Sequence, residues 1–398
     1  MKPLRILITN LAMWSRSGTE THARDLALGL LQRGHKPILY SPRLGAIARE
    51  MEAAGVEVVD NLEKLSHPPD LIHGHHNITA MTAILHFPGV PAVFLCHDKL
   101  AWHDAPPRFP AIRRYVAVDY LVYGRLVVEH ALPREIVSVI GNSVDLERFH
   151  PRGPLPAKPQ RALLFSNYAN KHTHLQAVTD ACSFAGIELD VRGAGVNNSC
   201  DRPEDVLGNY DLVFGKARCA MEAMAVGAAV VLCGPEGCGR MVTAMGFDYL
   251  RRYNFGRHTL TDPVTMENLI AQIGRYNAGD AAQVRTLART ELSAGLMVEQ
   301  WIKLYQEVLA ETPTIPPRPT KTDLEQAAQF LLLLDPILLG IYGRDVKIQS
   351  LEGEVRQLKE TVAKYAAEEA RRAVEEQARL KRRWYLPWSG VHKSRRQS

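Results

Sequence analysis

Short apolar runs alternate with helical periodicity over the first 150 residues. RILITN at residues 5–10 has the pattern of a buried strand, and residues 19–33 then place Leu26 and Leu30 on one helical face. Six further strands are predicted at the runs KPILYS, VEVV, DLIHGH, PAVFLCHD, RYVAVD and VSVIGN. Strands that alternate with helices predict a parallel sheet with helices on both faces.

A Pro-rich segment, PRGPLPAKPQ at residues 151–160, separates this half from a second half that begins in the same way. Strands are predicted at RALLFSN, ELDVRG, DLVFG and AAVVLCG, with helices near residues 174–185 and 217–225 and a longer helical stretch over 288–311. We therefore predict two α/β domains, at residues 1–150 and 151–311. Ligands of open parallel sheets bind beyond the carboxyl ends of the strands, so the functional residues should follow strands.

The chain changes character after a second Pro-rich segment, which we place at residues 312–320. Residues 321–383 are predicted to be helical, and apolar residues at 3,4 spacing over residues 348–365 indicate a short coiled coil between copies of the chain. An amphipathic helix packed on its own chain is the alternative. The most apolar stretch, residues 327–341, contains an Asp-Pro pair, so we expect it to be too short and too interrupted to span a bilayer.

Charge is distributed unevenly along the chain. The net charge is +5, yet residues 344–398 alone contain 14 basic and 8 acidic side chains, which leaves the rest close to neutral. A nucleic-acid-binding body would be basic throughout, so no nucleic-acid partner is expected. The tail at residues 384–398 combines basic residues with Trp384 and Trp388, a composition that suits peripheral contact with an anionic membrane. A solvated tail is the alternative.

Cysteine usage and the N-terminus bear on location. The six cysteines form no CxxC pair, and several lie in apolar runs, which is typical of reduced core thiols. MKPLRILITN leads directly into a strand and lacks the cleavage site of a secretory signal. We expect a cytoplasmic protein, with peripheral attachment at the inner face of the membrane through the tail.

Two candidate sites follow strands of the first domain. Gly18 lies in the turn SGTE before the first helix, where free amides and the helix dipole favour a phosphate; an ordinary helix cap is the alternative. His97 and Asp98 follow the run PAVFLC and could position a sugar or a hydroxyl group. A plain turn capped by Asp98 is the competing interpretation.

Three candidates follow strands of the second domain. Lys171 and Lys216 each follow a predicted strand, and a diphosphate could bind between them, although most surface lysines have no specific role. Glu222 lies in the small-residue helix ARCAMEAMAV, where a partly buried carboxylate needs a partner. Ribose hydroxyls are one candidate partner, and a salt bridge to Arg218, four residues earlier, is the other.

A metal site is not predicted. His73, His75 and His76 lie together in DLIHGHH, but in a strand only the first two share a face, and no third ligand follows at an informative spacing.

Together these segments resemble the GT-B glycosyltransferases, specifically the retaining, family 4-like enzymes that use nucleotide sugars. The strongest matches are GNSVDLERF at residues 141–149 and EAMAVGAAVV at residues 222–231. The resemblance implies an α/β GT-B fold in which two Rossmann-like domains face each other across a cleft. The first would be the acceptor-side domain and the second the nucleotide-sugar domain, followed by the helical extension.

The resemblance also implies roles for individual residues. Gly18 matches the glycine that meets the donor diphosphate, Lys171 the diphosphate lysine, Glu222 the ribose-binding glutamate, and His97 a catalytic-cleft histidine near the donor sugar. No cofactor and no metal are implied, and the anomeric configuration is retained.

Three positions depart from the family pattern. Ser17 stands where the family often has the first glycine of a Gly-Gly pair. Asn167 stands where an arginine is usual, and Phe214 stands where a glutamate ordinarily contacts the donor sugar. We expect Lys216 to compensate by adding positive charge nearby.

The expected function is transfer of a sugar from a nucleotide sugar to a glycan, lipid-linked or other glycoconjugate acceptor. A non-catalytic GT-B scaffold, which the loss of the glutamate at position 214 supports, is the first alternative. A GT-B nucleotide-sugar epimerase is the second, and the GNSVD and EAMA segments argue against it.

Overall fold

The computed structural model describes residues 2–14, 18–311 and 320–384. Contacts divide the chain into two compact units, Met1–Gln326 and Ala327–Ser398. The first unit contains two open sheets with their helices, and the second contains most of one long helix.

The first sheet has seven parallel strands in the order β3-β2-β1-β4-β5-β6-β7. Its strands are β1 Arg5–Thr9, β2 Lys36–Tyr40, β3 Glu57–Val59, β4 Leu71–His75, β5 Ala92–Cys96, β6 Ile112–Ala117 and β7 Val137–Val139. The α-helices among them are α1 Gly18–Gln32, α2 Ala46–Ala53, α3 Asn77–His86 and α4 Tyr120–Gly124. Every residue of β4 and β5 is buried, which explains the unbroken apolar run of β5, whereas β4 buries two histidines, His73 and His75.

The second sheet has five strands in the order β12-β11-β10-β8-β9. Its strands are β8 Arg161–Phe165, β9 Glu188–Arg192, β10 Leu212–Gly215, β11 Ala229–Gly234 and β12 Gly237–Met241. The α-helices of this part are α5 Leu175–Phe184, α6 Pro203–Val206, α7 Ala217–Val226, α8 Phe247–Arg252, α9 Met266–Ile273, α10 Ala278–Glu291 and α11 Ala294–Glu311.

Strand β12 corrects the expectation of a purely parallel sheet. It pairs with β11 in the antiparallel direction. Only Pro235 and Glu236 separate the two strands, and so short a connection can join only antiparallel neighbours. The turn projects Glu236 at the edge of the sheet.

The predicted helical stretch over residues 288–311 is wrong as one helix. It is divided between α10 and α11, because the break at Leu292 and Ser293 pairs with Val144 of the preceding domain connection. The Val144 N–H donates to the Leu292 carbonyl (2.7 Å), and the Ala294 N–H donates to the Val144 carbonyl (2.9 Å). These backbone bonds replace the intrahelical bonds that a continuous helix would make.

Helix α11 packs back on the first domain. Trp301 and Tyr305 are fully buried, and the Tyr305 hydroxyl lies 2.6 Å from His73 Nδ1 at β4. A Cβ on Gly29 of α1 would lie 2.4 Å from Val298 Cγ2, so the two helices can approach this closely only at a glycine.

The second unit contains helix α12, which begins at Lys321 and ends at Trp384. The predicted helical extension is therefore confirmed. Two predicted segments lie almost entirely outside the described residues: the Pro-rich segment at residues 312–320 and the basic tail at residues 384–398. Ser17 also lies outside them.

Helix α12 is, by length and composition alone, able to cross a membrane over one stretch. We expected the apolar residues 327–341 to be too interrupted for this. The helix continues through Asp335 and Pro336 without a break, so the pair does not end the apolar stretch.

All six cysteines are free thiols, and four of them are buried, as the sequence predicts.

Candidate functional site

Helix α1 begins at Gly18, just beyond the carboxyl end of β1. Among the described residues outside its own helix turn and its chain neighbours, no heavy atom lies within 4 Å of the position that a Gly18 Cβ would occupy. The Trp14 N–H donates to Glu20 Oε1 (3.0 Å), which ties Trp14 to the first turn of α1. The phosphate site expected at this turn remains a prediction.

His97 lies directly after β5, at the same edge of the sheet. Its Nε2 lies 3.1 Å from His75 Nδ1, so one imidazole fixes the orientation of the other. Burial lowers the pKa of His97 well below its usual range, and the neighbouring His22 adds to this effect. His97 is therefore neutral near pH 7 and offers hydrogen bonds, not positive charge.

His97 belongs to a group of six histidines, which we call the histidine cluster: His22, His73, His75, His76, His97 and His103. Neighbouring ring centroids lie between 4.7 and 6.2 Å apart. Burial lowers the pKa of every member, to about 4 for His22 and about 3 for His76. The cluster is thus a neutral, polar wall of the cleft.

Only four members of the cluster could be singled out in the sequence. His22 comes from α1 and His103 from the loop after β5, and neither lies near DLIHGHH in the sequence. The adjacency of β1, β4 and β5 in the sheet brings them together, and no local pattern carries that information.

One group within the described residues has the composition of a metal site. The ligand atoms of His76, His103 and Asp104 lie within 4.8 Å of one another. However, His76 Nδ1 accepts a hydrogen bond from the Leu11 N–H (3.1 Å), so the neutral ring carries its proton on Nε2. Neither nitrogen of His76 then offers a free lone pair, and burial raises the pKa of Asp104 to about 7. The group does not suit a metal in this arrangement.

The loop after β5 is fixed by backbone contacts. Asp98 Oδ1 accepts hydrogen bonds from the Leu100 N–H (2.6 Å) and the Ala101 N–H (2.7 Å). Arg125, which is buried, donates to the carbonyls of Asp98 and Ala101. Asp98 therefore caps a turn, as the competing interpretation held. Of these two residues, only His97 has its side chain available to the cleft.

Lys171 and Asn167 lie in the loop that follows β8. Lys171 is exposed, and Asn167 Oδ1 accepts a hydrogen bond from the Ala194 N–H (3.1 Å) after β9. The backbone of Gly193 has φ 149°, and a Cβ there would meet the Ser166 carbonyl oxygen at 2.0 Å. The glycine therefore allows two strand-end loops to pack together, and Asn167 helps to hold the loop that carries Lys171.

Lys216 is the N-cap residue of α7 and lies next to the loop that follows β8. Its Nζ lies 2.6 Å from both carboxylate oxygens of Glu236 and 5.8 Å from the Tyr168 ring centroid. We expected from the sequence that this ammonium would face the diphosphate site with its charge free. The β11–β12 turn, which was not predicted, instead supplies a carboxylate that compensates much of the charge.

Glu222 is buried and lies next to Arg218. Arg218 Nε is 3.3 Å from Glu222 Oε1, while Nη2 donates to Asp25 Oδ2 of α1. The predicted salt bridge within α7 is therefore present. Burial raises the pKa of Glu222 to about 7, and Asp25 adds to the effect although Arg218 opposes it.

The contact between Asp25 and Arg218 joins α1 of the first domain to α7 of the second. Arg218 also lies close enough to His22 to lower the pKa of that histidine further. Arg218 thus links the histidine cluster to Glu222 where the two domains meet. We could not predict the bridge from the sequence, because nothing near Arg218 or Asp25 specifies a partner about 190 residues away.

A second junction between the domains lies at Asn254. Its Oδ1 accepts a hydrogen bond from the Asn142 N–H (3.1 Å), and its Nδ2 donates to the Val118 carbonyl. A cavity of about 690 Å³ opens beside this junction, and Asn142, Ser143 and Asn254 contribute to its lining. None of the six predicted site residues lines this cavity.

Comparison with known proteins gives one family and one fold. The model of Glycosyltransferase Family 4 matches residues 16–148. No curated protein matches the sequence.

Three solved structures illustrate the fold. The glycosyltransferase from Rickettsia africae ESF-5 has a TM-score of 0.58 at 15% identity, over 78% of this chain and 100% of its own. Anabaena HepE, solved with UDP and glucose, has a TM-score of 0.56 at 15% identity, over 76% of this chain and 99% of its own. AviGT4, a glycosyltransferase involved in avilamycin A biosynthesis, has a TM-score of 0.51 at 15% identity, over 78% and 99%.

At such low identity these structures establish the fold, and the family match concerns residues 16–148 alone. The predicted GT-B fold is confirmed by the two parallel-rich sheets and their helices. The roles of Gly18, Asn167, Lys171, Lys216, Glu222 and His97 remain predictions. The chain has the GT-B fold of glycosyltransferases, and its residues 16–148 match the model of Glycosyltransferase Family 4.

Proposed function

We propose that this glycosyltransferase moves a sugar from a nucleotide sugar to a glycan, lipid-linked or other glycoconjugate acceptor, with retention of the anomeric configuration. The observation that carries the proposal is the chain of contacts from Asp25 through Arg218 to Glu222. It brings the first helix of one domain and the Glu222 helix of the other to the same cleft. A donor that spans this cleft would contact both domains.

The donor nucleotide is proposed to bind mainly to the second domain. The ionised Glu222 carboxylate can accept hydrogen bonds from two vicinal ribose hydroxyls, and Lys171 and the amides at Gly18 would hold the diphosphate. HepE was solved with UDP and glucose, which makes a uridine diphosphate sugar the first donor to test.

The reaction breaks the bond between the anomeric carbon and the diphosphate oxygen. The acceptor oxygen forms its new bond on the same face, and its proton passes to an oxygen of the leaving diphosphate. Cationic side chains and helix amides would stabilise the developing negative charge without a metal. Neutral His97 would hold a sugar hydroxyl and so fix the reacting carbon.

Phe214 bears on the choice of sugar. Phe214 belongs to strand β10, and its side chain is fully buried in the core of the second domain. Position 214 therefore offers no polar group to the cleft. Contacts to the donor sugar must come from other residues, and the half-buried His97 is the candidate that the structure offers.

The experiment is a thermal-shift and hydrolysis screen of the full chain against UDP-, GDP-, ADP- and dTDP-sugars. A donor that binds the folded state at a hundred times its Kd stabilises it by about 2.7 kcal/mol. We expect one nucleotide class to raise the Tm and to be hydrolysed slowly. Glu222→Gln should weaken the shift, whereas Glu188→Gln, on exposed β9, should leave it unchanged.

Absence of both a shift and hydrolysis with every donor would contradict the proposal. A shift without sugar transfer to any acceptor or to water would favour the scaffold alternative.

A further inference from the structure

Helix α12 carries a row of apolar side chains that nothing in its own unit covers. Ile348, Leu351, Val355, Leu358, Val362 and Tyr365 are each between 44% and 69% exposed. The second unit contributes a single described helix, so it has no other element on which to bury them. A row of this kind requires a partner helix.

The row extends further than the segment at residues 348–365. Counting back at 3,4 spacing adds Arg344 and Ile341, so that the row covers three and a half heptads from Ile341 to Tyr365. From residue 349 onward the positions on the opposite face are polar or small, as a solvated face requires: Gln349, Ser350, Gly353, Arg356, Gln357, Glu360, Ala363, Lys364 and Ala367. The added heptad is less regular, because Val346 lies on this face and is half exposed.

The kinds of apolar residue in the row select the number of strands. Ile341, Ile348, Val355 and Val362 occupy the a positions, and all four are β-branched. Leucine occupies the two central d positions, 351 and 358. β-Branched residues at a with leucine at d favour a parallel two-stranded coiled coil over trimers and tetramers.

The flanking charges select the orientation. In a parallel pair each g position faces the e position five residues later in the second copy. Lys347 then faces Glu352, and Glu354 faces Lys359, so both charged pairs attract on each side of the dimer. An antiparallel pair with the same apolar overlap would instead keep only the attraction of Asp345 to Lys359, and it would place Glu352 against Glu352 and Glu354 against Glu354, which repels.

We propose that residues 341–365 of two copies of this chain form a parallel, in-register, two-stranded coiled coil that makes the enzyme a homodimer. The chain segments that precede residue 341 would then leave the coiled coil at the same end in both copies. The one charged residue of the row, Arg344 at a d position, lies near its N-terminal end and weakens the pair there.

The first experiment measures the mass of the full chain by light scattering and sedimentation. We expect a dimer, and we expect Leu351→Lys with Leu358→Lys to give a monomer. A wild-type chain that is a monomer or a trimer over the micromolar range would overturn the proposal.

The second experiment tests the orientation by charge exchange. Lys359→Glu places Glu354 opposite a second glutamate and should raise the dimer Kd by about three- to tenfold. Adding Glu354→Lys restores opposite charges and should restore the Kd. Arg356→Glu, on the solvated face, is the matched control and should leave the Kd unchanged.

The third experiment tests the register by disulfide formation. Leu351→Cys should cross-link to the same position of the second copy under mild oxidation, with the wild-type chain and its six native thiols as the control. Cross-linking only between a Leu351→Cys chain and a Val355→Cys chain would show an antiparallel pair and would overturn the proposal. So would failure of the double charge exchange to restore the Kd.

Discussion

At the scale of single residues, Arg218 makes more contacts to candidate site residues than its position in the small-residue helix α7 indicates. It is paired with Asp25 on one side and lies beside Glu222 on the other, and all three side chains are largely buried. A ribose that binds Glu222 must share it with Arg218 or displace the guanidinium. The charge state of Glu222 then becomes part of nucleotide binding.

Donor affinity should consequently depend on pH near neutrality. Because burial raises the pKa of Glu222 to about 7, the carboxylate that accepts two hydroxyl hydrogen bonds is the minor form at pH 6 and the major form at pH 8. We expect donor binding, measured by calorimetry, to strengthen over this interval. Glu222→Gln should lose the dependence, and an equal slope in both proteins would contradict this assignment.

The histidine cluster should make the first unit sensitive to acid. A histidine whose folded pKa is depressed favours folding above its unfolded pKa of about 6.5, and stability is lost as the pH falls below that value. His22, with a pKa of about 4, would cost about 1.4 kcal/mol for each pH unit between those two limits.

Urea unfolding at pH 7.5 and pH 5.5 measures this loss. We expect the free energy of unfolding to fall steeply in the wild type and less steeply in His22→Asn. His150→Asn, at an exposed position, should keep the wild-type slope. Identical slopes in all three proteins would show that the cluster does not titrate on unfolding.

At the scale of elements, the packing of α1 against α11 depends on one glycine. Gly29 faces Val298 where a methyl group would overlap Cγ2. Helical glycines otherwise destabilise a helix relative to alanine, so this one is present for close approach.

Gly29→Ala should therefore destabilise the protein by about 1 to 3 kcal/mol, because the added methyl group overpacks the contact. Val298→Ala in the same chain should recover part of the loss. Gly124→Ala, with open space around it at the end of α4, should be neutral or slightly stabilising. Thermal unfolding compares the four proteins, and a Gly29→Ala variant as stable as wild type would show that the two helices separate easily.

At the scale of the whole molecule, two segments would attach the chain to a membrane by different physical effects. The basic tail after Ala370 would bind anionic lipid by charge, which salt screens. The apolar stretch of α12 would insert by the hydrophobic effect, which moderate salt does not weaken.

Flotation with anionic vesicles distinguishes these routes. For a cytoplasmic, peripherally attached enzyme we expect the full chain to float at low salt, and the chain ended after Ala370 to float much less. Flotation of both chains at high salt would assign attachment to the apolar stretch instead, and flotation of neither would leave the enzyme without membrane contact.

The order and type of most elements follow from the sequence, because buried strands and amphipathic helices leave local patterns of period 2 and 3.6 or unbroken apolar runs. The strands from RILITN to VSVIGN all form, and α1 begins and ends within one residue of its predicted limits. The EAMAVGAAVV segment likewise becomes the end of α7 and the start of β11. The exposed row on α12 is also legible in the sequence, since heptads are local.

Tertiary structure alone decided the contacts that shape the site. Sheet order gathers six histidines from three parts of the chain, a short hairpin turns Glu236 onto Lys216, and the closed cleft places Asp25 of α1 on Arg218. Each of these three contacts joins residues that are distant in sequence or lie on either side of a turn. Each contact therefore depends on how whole elements pack. Local patterns are set by which face of an element is buried, whereas these contacts are set by which elements become neighbours, so the first can be predicted from a single chain and the second cannot.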